Sequence, residues 1–280
     1  MAKLTAQIEG IGLVGPGLEG WASSAAILEG RSPYIRQPTV VPVPEGLPPA
    51  ERRRVGLVVK LALGVGLQAI AKAGVQPDAL PAVFASSGGD GQNCHEICLA
   101  LANDERLISP TRFHNSVHNA AAGYWSIATR SKAASNALCA FDWSFAAGLL
   151  EAVTQVVVDQ TRVLLVAYDA PYPQPLFAKR PISEAFGVAF VLAPLSAAMA
   201  RALAGAGAAA AGSALATLTL QLADATADRM SNPNLEDLRA SIPAARALPL
   251  LQQLAAQKAG VINVEYFDGR SLAVEVEPCS

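Results

Sequence analysis

Histidine is scarce in this chain, and its placement is uneven. The three copies, His95, His114 and His118, all precede Cys139, so the second half has no imidazole for acid–base or metal chemistry. Charge is sparse too: 16% of the 280 residues are charged and the net charge is −2, which leaves no basic field for nucleic acid. No run of eighteen uninterrupted apolar residues occurs, so no membrane span is expected. The alanine-rich stretch from Leu195 to Ala216 is broken by Arg201, glycines and serines and reads as helix and linker. Gln7 and Glu9 come too early for a signal peptide. Four irregularly spaced cysteines form no disulfide framework and point to free thiols in a reducing cytoplasm. What the chain has is apolar bulk, 52% of its residues, enough for a large core and for surface covered by a partner subunit.

Apolar runs alternate with helical segments, which predicts an α/β fold. Strands are expected at Ala6 to Val14, Pro81 to Ser87, Arg162 to Ala167, Gly187 to Ala193 and Ala214 to Ala223, with a terminal hairpin of Val261–Phe267 and Leu272–Val276. Beyond Arg162 the run to Ala167 is continuously apolar, as in a parallel strand covered on both faces, and Gly187 to Ala193 reads the same way. Helices are expected at Trp21 to Glu29, Arg52 to Gly74, Asn93 to Ala102, Trp143 to Val157 and Leu235 to Lys258, the last broken at Pro243. Ser32 to Pro49 holds six prolines and reads as an extended surface loop.

Several motifs invite chemistry. Gly15-Pro16-Gly17-Leu18-Glu19-Gly20 has the spacing of a dinucleotide-binding turn, but Pro16 removes a backbone N–H and no acid-ended second strand follows, so the glycines shape a turn. His114 and His118, four apart, lack an acid at a supporting spacing; they read as loop imidazoles at a subunit contact, not metal ligands. Cys94-His95-Glu96-Ile97-Cys98 lacks a fourth ligand, and its cysteines read as small core-facing thiols. No metal and no cofactor is expected. Ser86-Ser87-Gly88-Gly89-Asp90-Gly91 is a tight turn without the lysine of a P-loop. The strongest signal is Ser135 to Asp142, an apolar run into Cys139 followed by the small-residue helix that begins near Ser144. A helix N-terminus favours a thiolate, so Cys139 is either a nucleophile or a structural cysteine in an apolar turn.

Taken together, Ile8-Glu9-Gly10-Ile11-Gly12 with Trp21, Leu28 to Ser32, Phe84 to Gly89, Ser109 to Gly123 and Ser135 to Ala152 resemble, in order and spacing, the β-ketoacyl-ACP synthases of the thiolase-like superfamily. The chain is most similar to their short relatives, the chain-length factors found beside ketosynthases in polyketide and aryl-polyene pathways. That resemblance implies a layered αβαβα architecture with a complete first half (1–196), a linker (197–213) and a reduced second half (214–280). It also implies a ketosynthase or a second copy as dimer partner, joined through an extended sheet, and an acyl carrier protein. Where the family has T-A-C-A-S-G, this chain has Ala137-Leu138-Cys139-Ala140-Phe141-Asp142. Aligned from the strand, Cys139 takes the nucleophile's place; counted back from Gly148, Ala140 does.

The family's H-G-T-G-T loop and second histidine have no counterpart, and Asn263 to Gly269, with Asp268, stands where the family has an N-x-F-G-F-G-G loop. Losing one oxyanion donor costs about a hundred- to thousand-fold in rate. Losing acid–base groups costs roughly a further hundred- to ten-thousand-fold. The resemblance therefore implies a non-catalytic partner of a ketosynthase in fatty acid or polyketide biosynthesis. Bulky Phe113, Trp125, Phe141 and Trp143 are its candidate tunnel residues, and His114 and His118 its candidate interface. The rival is a self-sufficient acyltransferase or condensing enzyme using Cys139, and a third reading is a homodimeric scaffold.

Overall fold

The computed structural model describes residues 3–195 and 214–279, so the expected linker 197–213 lies outside the described residues. Its described strands form one mixed sheet. In chain order they are β1 (Leu4–Gly15), β2 (Leu18–Glu19), β3 (Ala82–Ala85), β4 (Ser135–Leu138), β5 (Val163–Asp169), β6 (Phe186–Ala193), β7 (Ala216–Ala223), β8 (Gly260–Glu265) and β9 (Ser271–Pro278). The sheet runs β4-β3-β5-β6-β1-β7-β9-β8, with β2 pairing β1 as a short hairpin. β4, β3 and β5 are parallel and every other pairing is antiparallel. β1 joins the two parts of the chain, pairing β6 on one side and β7 on the other.

Helices cover both faces. On one lie α3 (Leu57–Ala73) and α6 (Ala120–Thr129). On the other lie α1 (Trp21–Leu28), α7 (Ser144–Asp159), α9 (Pro233–Ser241), a 3-10 turn (Pro243–Ala247) and α10 (Leu248–Ala255). The short α2 (Pro49–Arg54), α4 (Gly91–Ala102), α5 (Pro110–His114) and α8 (Leu176–Lys179) lie in the connections. α3 crosses β1 so closely that a β-carbon at Gly12 would run into Val65 O, which is why glycine stands there. α7 presses on β3 in the same way: a β-carbon at Gly148 would stand 2.7 Å from the Ala85 methyl. Phe145 and Phe190 meet edge-on, centroids 6.2 Å apart, in the same layer.

Three expectations change. β6, expected to be a parallel strand, runs antiparallel to both β5 and β1, because antiparallel strands buried on both faces are as continuously apolar as parallel ones. The single helix over Arg52 to Gly74 is two, α2 and α3, separated by Val55 and Gly56 in extended conformation. A β-carbon at Gly56 would collide with the Asp90 carboxylate, so a contact 34 residues away holds the break. The segment Phe141–Asp159, 19 residues long, is apolar enough by composition to cross a membrane, although it contains no uninterrupted apolar run. Here α7 buries Phe145, Leu149, Val153 and Val156 against the sheet.

Candidate functional site

The elbow between β4 and α7 is more complex than a strand running straight into a helix. A 3-10 turn, Phe141–Trp143, intervenes, and Phe141 adopts φ +53°, a left-handed conformation unusual for a bulky side chain. Ser144 secures the turn: its Oγ accepts from Ala140 N (3.0 Å) and donates to Phe141 O (2.7 Å). Cys139 therefore sits before the helix, outside its first turn. Its side chain is exposed, and its thiol donates to Ser87 O at 3.1 Å. His118 comes to the same place from the α5–α6 connection. Its Nε2 donates to Leu138 O at 3.0 Å, which commits that ring proton to the elbow backbone.

Under the elbow lies a carboxylate. Asp169, at the end of β5, is 2% exposed. Its Oδ1 accepts from Ser87 N (2.8 Å) and Ser86 Oγ (3.2 Å), and its Oδ2 accepts from Ala244 N (2.9 Å) in the 3-10 turn Pro243–Ala247. Burial pushes its carboxyl up to about 6, against the pull of these donors. Two residues beyond Ala244, Arg246 reaches Asp142 of the elbow at 3.3 Å and Glu265 of β8 at 2.7 Å. Arg180 holds the other Asp142 oxygen at 2.7 Å and lies 3.8 Å over the Phe141 ring.

The candidate tunnel residues divide. Phe141 and Trp143 meet edge-on, centroids 6.4 Å apart, and Phe267 extends the row to Trp143 at 5.3 Å. Trp125 lies elsewhere, on the α3 side of the sheet against Phe84 and Gly66. Phe113 is 67% exposed on α5. His114 meets the Tyr124 ring edge-on. The side chain of Asp268 is not among those described. Cys94 and Cys98, expected to face a core, are exposed instead, because α4 buries only Asn93. Among the described residues no three of His, Cys, Asp and Glu come together as a metal set.

Beside α4 a cleft of about 530 Å³ is lined by Arg53, Arg54 and Arg112 around Asp90. Burial raises the Asp90 carboxyl, offset in part by Asn93 N and the Arg112 charge. Two buried asparagines fix the backbone around it: Asn93 Nδ2 donates to Arg112 O (2.8 Å) and Asn115 Nδ2 to Arg54 O (3.0 Å). Sequence reasoning found the elbow and the glycine turn but missed Asp169, Arg180, Arg246 and this cleft. An acid closing the apolar run of β5 was the available signal for Asp169; Arg180 lies 38 residues from Asp142 and gave none.

The family model described as beta-ketoacyl synthase, N-terminal domain, matches residues 23–259. No curated protein matches the chain. A ketosynthase in complex with its chain length factor from Xenorhabdus doucetiae is similar at 22% identity and TM-score 0.69, over 97% of this chain and 99% of that one. A type II PKS acyl-carrier protein in complex with its ketosynthase bound to the hexaketide is similar at 12% identity and TM-score 0.69, over 99% and 100%. A beta-ketoacyl synthase from Burkholderia phymatum STM815 is similar at 14% identity and TM-score 0.54, over 91% of this chain but 71% of its own. At these identities the likeness is one of fold, the thiolase-like α/β fold of the ketosynthases.

Proposed function

The chain belongs to the beta-ketoacyl synthase family, and from that premise we propose that it is the non-catalytic, chain-length-factor partner of a ketosynthase. The observation that carries the proposal is the state of the elbow. The Cys139 thiol is bonded to a carbonyl, the nearby His118 has its Nε2 proton committed to backbone, and no histidine follows Cys139. Decarboxylative condensation needs general acid–base groups and an oxyanion hole, and their loss removes most of the rate.

Association is supported by the outer edge of β4, which pairs with no other strand among the described residues and whose main-chain groups are a ready template for another strand. Exposed Leu99, Leu101, Phe113, Val117 and Phe141, on α4, the α5–α6 segment and the elbow, add apolar surface that a partner would cover. The arginine-lined cleft suits an acidic carrier protein. The reading makes the protein one subunit of a cytoplasmic heterodimer in fatty acid or polyketide biosynthesis of the aryl-polyene type, where Phe141 and Trp143 shape the acyl tunnel. Reconstitution with a paired ketosynthase tests it: product length and rate depend on this chain if the proposal holds, and are unchanged by its omission if it fails.

The exposure of Cys139 favours one second reading, acyl transfer by the chain alone. Incubation with an acyl thioester would then give an adduct that is lost in Cys139→Ala.

A further inference from the structure

Asp169 has no role in that reading, yet it is a carboxylate buried at the junction of three segments. Through Oδ1 it holds Ser86 and Ser87, and the Ser87 carbonyl in turn receives the Cys139 thiol. Ser86 Oγ also accepts from Gly89 N at 3.0 Å, so the whole turn after β3 hangs on this carboxylate. Through Oδ2 it holds Ala244, and Arg246 on the same 3-10 turn returns to the elbow at Asp142. Contacts and short stretches of chain together close a ring: Asp169 to Ser87 and Cys139, along the elbow to Asp142, across to Arg246, and back along the 3-10 turn to Ala244. Two of its members come from the far end of the sequence. A buried carboxylate is expensive to keep unless its donors are set for it.

We propose that Asp169 is a positioning residue that sets the presentation of the Cys139 thiol, with the 3-10 turn Pro243–Ala247 closing the arrangement from the C-terminal side. The inference goes beyond the partner reading and holds whether or not Cys139 is acylated. Of the ring's two carboxylates, Asp169 is buried, whereas Asp142 is partly exposed and paired with Arg180 and Arg246. β3 carries no ionisable side chain, and neither does β6. α3 carries Lys60 and Lys72; α7 carries Asp159 and Glu151, which is held by Asn136 and Gln155. Arg246 is committed to Asp142 and Glu265. Tyr168 precedes the carboxylate on its own strand, and Asp90 and His118 stand past the Ser86–Gly89 turn. None of these donates to Asp169 among the described residues.

The test is thiol labelling of the full chain with a pyridyl disulfide between pH 5 and 8, followed by peptide mass spectrometry, with exposed Cys98 as internal reference. The Cys139-to-Cys98 rate ratio is expected to change several-fold in a step near pH 6, where the buried carboxyl titrates. Asp169→Asn removes the step. Ser86→Ala removes one donor to the carboxylate and moves the step to higher pH, and it serves alone if Asp169→Asn fails to fold. A ratio that is flat with pH in the wild-type chain, or a step unmoved in Ser86→Ala, overturns the proposal.

Discussion

The two ends of the sheet are built differently. At the β8 end, β9 is closed into the core with Leu272, Val274 and Val276 buried, the outermost β8 buries Val264, and Arg239 ties Glu236 and Glu265 together. At the β4 end the edge strand exposes Ser135 and Asn136, α4 buries one residue of its twelve, and Phe113 and Phe141 face solvent. Both ends leave apolar side chains exposed, Val261 at the β8 end among them, but the β4 end adds Leu99, Leu101, Phe113 and Phe141 and the exposed thiols of Cys94, Cys98 and Cys139. On the proposed partner reading, the difference says where a second chain would sit: against the β4 end, beside the elbow.

Stability separates the two ends most strongly. Leu272→Ala, buried in β9 at the closed end, is expected to cost about 2–5 kcal/mol in denaturant unfolding, whereas Phe113→Ala at the open end costs less than about 0.5 kcal/mol. Equal losses would erase the distinction. Asp169 lies between the ends and makes stability depend on pH. Its carboxyl is held at about 6 in the folded chain against an ordinary value of 3.8, so the native state takes up a proton before the unfolded one does. As pH falls from 7 through 6 towards 4, the wild-type protein should therefore gain up to roughly 3 kcal/mol relative to Asp169→Asn. Parallel Tm profiles for the two proteins would contradict this.

The smallest stability effect is expected at the edge itself. Ala134 and Leu138 carbonyls accept from β3, so by alternation the Ala137 N–H points outward. Ala137→Pro should cost less than about 1 kcal/mol and yet weaken capture by a paired ketosynthase at least tenfold in a pull-down titration. Unaltered capture would move the interface off β4.

Much of this comparison was readable from the sequence where the physics is local. The largely apolar segment of β1 and the continuous apolar runs of β5 and β6 marked buried strands, and Asp268-Gly269 marked the terminal hairpin turn. Where distant residues meet, the sequence was silent. Nothing in Arg52 to Gly74 signals that Gly56 must admit the Asp90 carboxylate, and helical spacing aligned Cys94 with Cys98 without saying what covers that face. Cys139 was visible as a thiol at a strand end, but its hydrogen bond to Ser87 and the support from Asp169 and Arg246 depend on contacts between residues far apart in the sequence, more than a third of the chain apart for Arg246 and Asp142.

The most direct test is malonyl-dependent condensation by the reconstituted pair carrying Cys139→Ala in this chain. The account predicts the rate and product length of the unaltered pair, since the partner supplies the chemistry. A rate loss of about a hundredfold or more, as expected when a nucleophile is removed, would contradict it.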